Sequence, residues 1–327
     1  MANCHEPFKG FLSAIDLTST KKDYLRTSRD AIRGRIRSHF KDVLTIRVPL
    51  FCHQGSFAIK TLIAPIDGEY DIDDGVYLQD LPKDRKEWPS AAMVHSWVVD
   101  AVKEHTATPP EDKKNCVRII YKNDYHVDLP IYGVQDGIAY VARKGSEEWP
   151  ESDPRAFTEW FMGKMNGDEQ LRRNVKYLKA FVDYKSLDLP SIAATTLVAM
   201  YHVKNERDDL SFASVMRACL NHLKLFRTVN KPVTPTKENL LEKLTEAKID
   251  RIIDRMEVLC TDADKAVALA DDKLEEATEF WNKHLGDRFP IAQQDAKKDE
   301  NKSARIIIGS AGAPSKAWGN DLVHQEP

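Results

Sequence analysis

Asp71 and Asp73, in the stretch YDIDDGVYL, are the residues of this chain whose type and spacing most directly suggest chemistry. The stretch alternates as a strand, and residues two apart on a strand point to one face, so the two carboxylates stand side by side while Ile72 and Asp74 face the other way. Such a pair repels unless a cation sits between. Mg²⁺ is a hard ion that takes oxygen ligands at about 2.1 Å and is held by one or two carboxylates plus substrate phosphates. A third carboxylate from a later strand, Asp128, would complete a site for two metals about 3.5 to 4 Å apart, the geometry for in-line displacement at phosphorus. Upstream, Gly55-Ser56 lies at a strand-to-helix turn. Glycine lets backbone approach an anion, and the free N–H groups of the next helical turn, with the Ser56 hydroxyl, can hold the terminal phosphates of a triphosphate. Each piece alone is commonly structural: a Gly-Ser turn is usually only a turn, and D-x-D is usually a solvated or capping pair. The order strand, Gly-Ser, helix, strand with D-x-D, then strand with Asp is the specific signal.

These residues need a frame. Residues 19–40 read as a helix with Thr20 as its cap and Tyr24, Leu25, Ile32, Ile36 and Phe40 at helical spacing. Its other face is basic, which is either a solvated face or one wall of an anionic ligand channel. Residues 43–51 are rich in β-branched side chains and read as a strand that ends, or lies at an edge, at Pro49. A turn over 53–56 follows, with a helix beginning over 57–63. Strand 70–78, helix 91–105 and a strand pair over 117–121 and 125–132 complete an α/β lobe with a mostly antiparallel or mixed sheet.

From Asp153 the pattern becomes helical, with Pro154 suited to a first turn and further helices expected over 171–182, 192–202, 212–226, 240–259 and 262–285. Beyond Pro290, QQDAKKDENKSAR and GSAGAPSKAWGN have the composition of disordered chain, interrupted by Ile306-Ile307-Ile308. The expected organisation is a catalytic core over 1–150, a helical lobe over 151–290 and a flexible tail over 291–327. The fold class is α/β plus α.

Composition narrows the function. The chain has 327 residues, 42% hydrophobic and 30% charged, enough for about two domains with a sizeable core. A net charge of -3 lacks the basic excess that grips a long nucleic acid. The five cysteines are scattered with no C-x-x-C pair, which suggests reduced thiols in a cytoplasmic protein. MANCHEPFKGF has no apolar signal region, and no apolar run of about 18 residues is present, so neither secretion nor a membrane span is expected. The histidines show no zinc spacing. His126 flanks Asp128 on the same strand face, where it reads first as a hydrogen-bonded structural histidine and second as a group tuning Asp128.

The stretches QGSFAIKTLIAP, YDIDDGVYL, HVDLPIY and WPESDPRAFTEWF, in that order, resemble the bacterial cyclic GMP-AMP synthases of the DncV-like branch of the CD-NTase family, the signal-making enzymes of CBASS antiphage systems. The similarity runs from about residue 24 to 200. It implies a polymerase-β-like nucleotidyltransferase core packed against an α-helical lobe, with two Mg²⁺ ions, replaceable by Mn²⁺, in the cleft. It also implies ATP and GTP, or other nucleoside triphosphates, as substrates, pyrophosphate release, and a cyclic dinucleotide messenger read by a downstream effector. Carried over by position, Gln54, Gly55 and Ser56 hold the donor triphosphate, Asp71 and Asp73 bind both metals, and Asp128 binds the metal that activates the attacking ribose hydroxyl. In LRRNVKYLKAF, Lys179 matches a triphosphate-contacting lysine, and in LPSIAAT, Ser191 matches a phosphate-contacting serine. Without the resemblance, Lys179 reads as an exposed helix lysine and Ser191 as a helix cap after Pro190. Arg118 and Ser152 match residues near the bases.

The chain departs from the resemblance in two places. Ile59 stands where the related synthases carry an aromatic residue, which removes a base-stacking contact, and the insertion before the SDP segment is much shorter. The resemblance further suggests the tail as a handle for an E1/E2-like ligase, against which stands the ending His324-Gln325-Glu326-Pro327, because such ligases act on a terminal small residue. The same carboxylates would equally serve a linear, template-independent nucleotidyltransferase, such as an oligoadenylate or RNA-tailing enzyme, or a cyclic trinucleotide synthase. A decayed, non-catalytic binding module is disfavoured by the intact Gly-Ser turn and the three carboxylates.

Overall fold

The computed structural model describes residues 1–67, 69–121 and 125–293. Its first helix, α1 (His5–Ile15), precedes the first helix expected from the sequence, that over 19–40. Phe8 and Phe11 of α1 are fully buried, and the Phe8 ring meets Tyr177 at 5.0 Å and Trp281 at 4.9 Å, both edge-on. Residues 1–15 therefore pack into the helical lobe, which corrects the expected assignment of the whole N-terminal stretch to the core.

Helix α2 (Ser19–Ser38) is capped by Thr18, whose hydroxyl accepts from the Lys21 N–H at 3.2 Å, two residues earlier than expected. Leu25, Ile32 and Ile36 form its buried stripe. The stripe continues through a π-helical turn, His39–Val43, which buries Phe40, so the strand expected from residue 43 starts only at Leu50. Strand β1 (Leu50–Gln54) runs up to Gly55, and the following helix, α3 (Gly55–Ala58), is a single turn rather than the longer one expected. Lys60, at φ 59°, is already in the left-handed region that stops a helix.

Strand β2 (Tyr70–Tyr77) organises the sheet. After α4 (Ala91–Val102), capped by Ser90, come β3 (Glu111–Asp112), β4 (Val117–Tyr121), β5 (Tyr125–Leu129), β6 (Ile131–Gln135) and β7 (Ile138–Val141). The strand expected over 125–132 is broken at Pro130, which has no N–H to give a ladder. β2 pairs parallel with β5 over 70–73 and with β6 over 76–77, and antiparallel with β1; β3–β4, β4–β5 and β6–β7 are antiparallel. The sheet is mixed, as expected. Its apolar face packs on α2 and α4 through Ile72, Val76, Val94, Val98, Val127 and Leu129.

The helical lobe holds α5 (Pro154–Met165), α6 (Glu169–Tyr184), α7 (Ser191–Tyr201), α8 (Asp208–Phe226), α9 (Glu246–Ala268) and α10 (Leu274–Leu285). Asp153 caps α5 with Pro154 in the first turn, and Asp168 caps α6. The break expected near residue 260 is absent: α9 runs unbroken through Cys260 and Asp262, and the chain turns after Ala268 instead. No helix among the described residues is long and apolar enough to cross a membrane. Of the tail expected over 291–327, residues 294–327 lie outside those described.

Candidate active site

The parallel register of β2 and β5 sets Asp71 beside His126 and Asp73 beside Asp128. All four positions have the same parity along their strands, so the pleat sends their side chains to one face. Asp71, His126 and Asp128 each present a ligand atom within 4.8 Å of the others. Asp73 stands against the Gly-Ser turn: Gly55 has φ +60°, and a Cβ there would collide with the Asp73 carboxylate, so this position takes glycine on both counts. Burial, and then the neighbouring charges of Asp71 and Asp128, push the Asp73 carboxyl up from 3.8 to about 7. A group of carboxylates crowded to this degree is a donor set that a divalent cation relieves. In that sense the residues fit the metals expected from the sequence.

Arg118, opposite Asp128 on β4, adds a charge of the other sign. Its Nε and Nη2 donate to the two Asp128 oxygens at 2.7 Å each, a bidentate pair. Arg118 thus meets a candidate metal ligand. Asp74, on the opposite face as expected, is fully buried and receives Arg33 of α2 through Nε at 2.7 Å and Nη2 at 2.5 Å. Burial raises this carboxyl, but the hydrogen bonds from Arg33 and His53 outweigh it and leave Asp74 below the usual carboxylate range. The basic face of α2 is therefore partly a clamp on β2. Among the described residues lining the cleft, none comes from α2.

The cleft measures about 820 Å³ and lies between the sheet and the helical lobe. Gln54, Gly55, Ser56, Asp71, Asp73, Asp128, Ser152, Lys179 and Ser191 all line it; Arg118 does not. Gln54 reaches it with its carboxamide engaged elsewhere: Nε2 donates to the Tyr77 hydroxyl at 3.2 Å and Oε1 accepts from Tyr132 at 3.1 Å. Those two rings stack at 4.8 Å, so the Gln54 side chain braces β1 against β2 and β6.

Lys179 projects from α6 toward the cleft and donates to the Thr61 carbonyl at 3.0 Å. Burial lowers its ammonium to about 8, with Asp71 opposing and Lys176 adding to the shift. It is not the exposed helix lysine of the bland alternative. Ser191 is the first residue of α7 and not its cap; Pro190 occupies the cap position without a side-chain bond. Leu189, Ser191 and Ile192 line the cleft, so the N-terminal, positive end of α7 faces it, a favourable place for phosphate. Ile59 also lines the cleft and is 3% exposed, and its carbonyl accepts from Arg172 at 2.9 Å.

Sequence reasoning passed over Glu69, Asn115, Arg143 and Lys231, which also line the cleft. Asn115 and Arg143 are bonded to each other at 3.0 Å, and Lys231 pairs with Glu238 at 3.3 Å. All four sit in loops or at strand ends with no periodic neighbours, so nothing in the local pattern marks them.

Residues 49–132 match the family model of the cyclic GMP-AMP synthase DncV-like nucleotidyltransferase domain. A c-di-GMP synthase of Roseivirga ehrenbergii is 22% identical over 275 residues, 73% of this chain and 71% of that protein. The crystal structure of Vibrio cholerae DncV in its apo form is similar with a TM-score of 0.74 at 19% identity, covering 88% of this chain and 96% of that one. The structure of Vibrio cholerae DncV with the linear intermediate 5' pppA(3',5')pG gives a TM-score of 0.70 at 21% identity, covering 88% and 98%. The matched segment spans β1, the Gly-Ser turn, β2 and β5, the elements that carry the carboxylates.

Proposed function

We propose that this chain, a nucleotidyltransferase of the DncV-like cyclic GMP-AMP synthase family, joins two nucleoside triphosphates into a cyclic dinucleotide. The observation that carries the reading is the β2–β5 register: it gathers Asp71, Asp73 and Asp128 on one face, across the cleft from Lys179 and the N-terminal end of α7. The Ser56 hydroxyl with its turn, Lys179 and the α7 terminus bind the triphosphate of the donor from both sides. Asp71, Asp73 and Asp128 would hold two Mg²⁺ ions, with Mn²⁺ as a substitute. Bound there, divalent metal lowers the pKa of the attacking hydroxyl and neutralises charge developing on the phosphates. Arg118 fixes the Asp128 carboxylate in the plane of its guanidinium and offsets one negative charge of the cluster.

The reaction is attack of a ribose hydroxyl of one nucleotide on the α-phosphorus of the other, with loss of pyrophosphate. A second, intramolecular attack of the same kind closes the ring. A cleft of about 820 Å³ is toward the upper end of small-molecule sites, which suits two nucleotides better than one. The Roseivirga relative is a c-di-GMP synthase and one Vibrio cholerae DncV structure holds the intermediate 5' pppA(3',5')pG, both purine species, and we assign purine nucleotides here. In the cell, the product would serve as an antiphage messenger read by an effector.

Mass spectrometry of the products formed from the four triphosphates with Mg²⁺ or Mn²⁺, after phosphatase treatment, tests this reading. A phosphatase-resistant species with the mass of a cyclic dinucleotide, lost in Asp71→Asn, is expected. Exclusively linear, phosphatase-sensitive products would overturn it in favour of a tailing enzyme.

A further inference from the structure

The cluster on the catalytic face contains one residue that the three-carboxylate arrangement does not use. His126 is 9% exposed, lies beside Asp71 in the parallel register, and places a ring nitrogen within 4.8 Å of ligand oxygens of both Asp71 and Asp128. Its Nδ1 meets the Glu69 carboxylate at 3.3 Å. A carboxylate that receives one ring N–H fixes the tautomer and turns the other nitrogen, Nε2, into a lone-pair donor, the usual support of a metal-bound histidine. Asp128, meanwhile, shares both oxygens with Arg118. Its capacity as a metal ligand is correspondingly reduced, and another carboxylate would add negative charge to a face that already gathers Asp71, Asp73 and Asp128. A neutral imidazole adds a donor without adding charge.

We propose that His126, oriented by Glu69, is a nitrogen ligand to the divalent ion held by Asp71 and Asp128, and that it biases this site toward Mn²⁺ over Mg²⁺. The inference rests on the metal-dependent reading above and deepens it. Mg²⁺ is selective for oxygen donors in near-ideal octahedral geometry, whereas Mn²⁺, although the weakest binder of the divalent transition ions and itself suited to carboxylates, takes an imidazole nitrogen more readily than Mg²⁺ does. The Glu69–His126 pair is then a selectivity device, and the bland alternative is a histidine held only by Glu69.

Mn²⁺ itself is the probe. Pulsed EPR of the Mn²⁺-loaded wild-type protein, without nucleotide, should show coupling to an imidazole nitrogen. In His126→Gln the coupling should vanish. Mn²⁺ affinity, measured by EPR titration, should fall about 10- to 100-fold in that variant, with Mg²⁺ affinity changed less than about threefold. Glu69→Gln should retain the nitrogen signal while weakening Mn²⁺ by about 10-fold. Mn²⁺ bound by the wild-type protein without nitrogen coupling overturns this inference and leaves the carboxylate site standing. Absence of Mn²⁺ binding by the wild-type protein overturns both. The wild-type spectrum decides the matter even if a variant folds poorly.

Discussion

Replacing Asp73 by Asn should abolish product formation and at the same time make the metal-free protein more stable. The reason is the crowding on the catalytic face. The Asp73 carboxyl is raised from 3.8 to about 7 by burial and by Asp71 and Asp128. For an acid whose folded pKa is raised, ionisation costs the folded state: the penalty is absent below 3.8, grows between 3.8 and about 7, and is complete above about 7. A shift of this size corresponds to about 4 kcal/mol, and water in the open cleft screens part of it, leaving a gain on the order of 1 to 3 kcal/mol for the isosteric Asn. Thermal unfolding in EDTA, run from pH 4 to pH 8.5, reads this directly. The variant should melt several degrees above wild type at pH 8, and the difference should close toward pH 4. Added Mn²⁺ should raise the wild-type midpoint and close the gap from the other side, because the ion binds the native carboxylate cluster. A variant less stable than wild type at pH 8, or a difference independent of pH, refutes the crowding and with it the argument that Asp73 needs a metal.

Three further outcomes follow from the same geometry. Because Asp73 must lose a proton to ligate, Mn²⁺ binding near pH 6 should release close to one proton, by calorimetry in buffers of different ionisation enthalpy, and its affinity should drop as pH falls below about 7. Lys179→Met should reduce kcat/KM for the triphosphate by about 10- to 1000-fold while Mn²⁺ affinity stays within a few-fold, and the fall of wild-type kcat/KM above about pH 8, where the ammonium loses its proton, should disappear from the profile. Arg33→Met leaves the buried Asp74 without its bidentate partner, so it should cost about 3 to 5 kcal/mol in denaturant unfolding; a loss under 1 kcal/mol would mean that Asp74 is solvated through another route.

How legible these features were in the sequence depended on how far apart their partners lie along the chain. Asp71, Ile72, Asp73 and Asp74 sort to two faces by the strand period alone, and the sort is correct on both. The partners are another matter. Asp74 is answered by Arg33, 41 positions away, and Asp128 by Arg118 across an antiparallel ladder whose register no local pattern specifies. Helix α1 was within reach: Phe8, Phe11, Leu12 and Ile15 follow helical spacing, a pattern to which the lack of an apolar signal region is irrelevant. The hairpin joining β6 and β7 was likewise announced by Asp136-Gly137, at φ 52° and 80°, the pair that two-residue turns favour. Lys231 carried no such mark. It enters the cleft from a loop, and only the packing of the helical lobe brings it there.

The segment between the Gly-Ser turn and β2 explains why the site requires both lobes. Its described residues have no regular structure after Ala58, so their backbone groups need partners from elsewhere. The helical lobe supplies them: Arg172 to the Ile59 carbonyl at 2.9 Å, Lys179 to Thr61 at 3.0 Å and Arg288 to Ala64 at 2.7 Å, while the Ile66 N–H donates to Asp183 at 2.9 Å. Helix α1 adds the Ile15 carbonyl, which accepts from the Ala64 N–H at 2.8 Å. The turn that faces Asp73 is thereby tied to the same helix that carries Lys179. One of these ties differs from the rest, since Lys179, unlike Arg172 and Arg288, lines the cleft, where an arriving triphosphate would attract its ammonium more strongly than the carbonyl does. Moving the ammonium from Thr61 to a phosphate would exchange a link between lobes for a link through the nucleotide. On the proposed function, substrate binding and lobe attachment would share a side chain, making Lys179 the point where occupancy of the cleft would be felt by the rest of the fold.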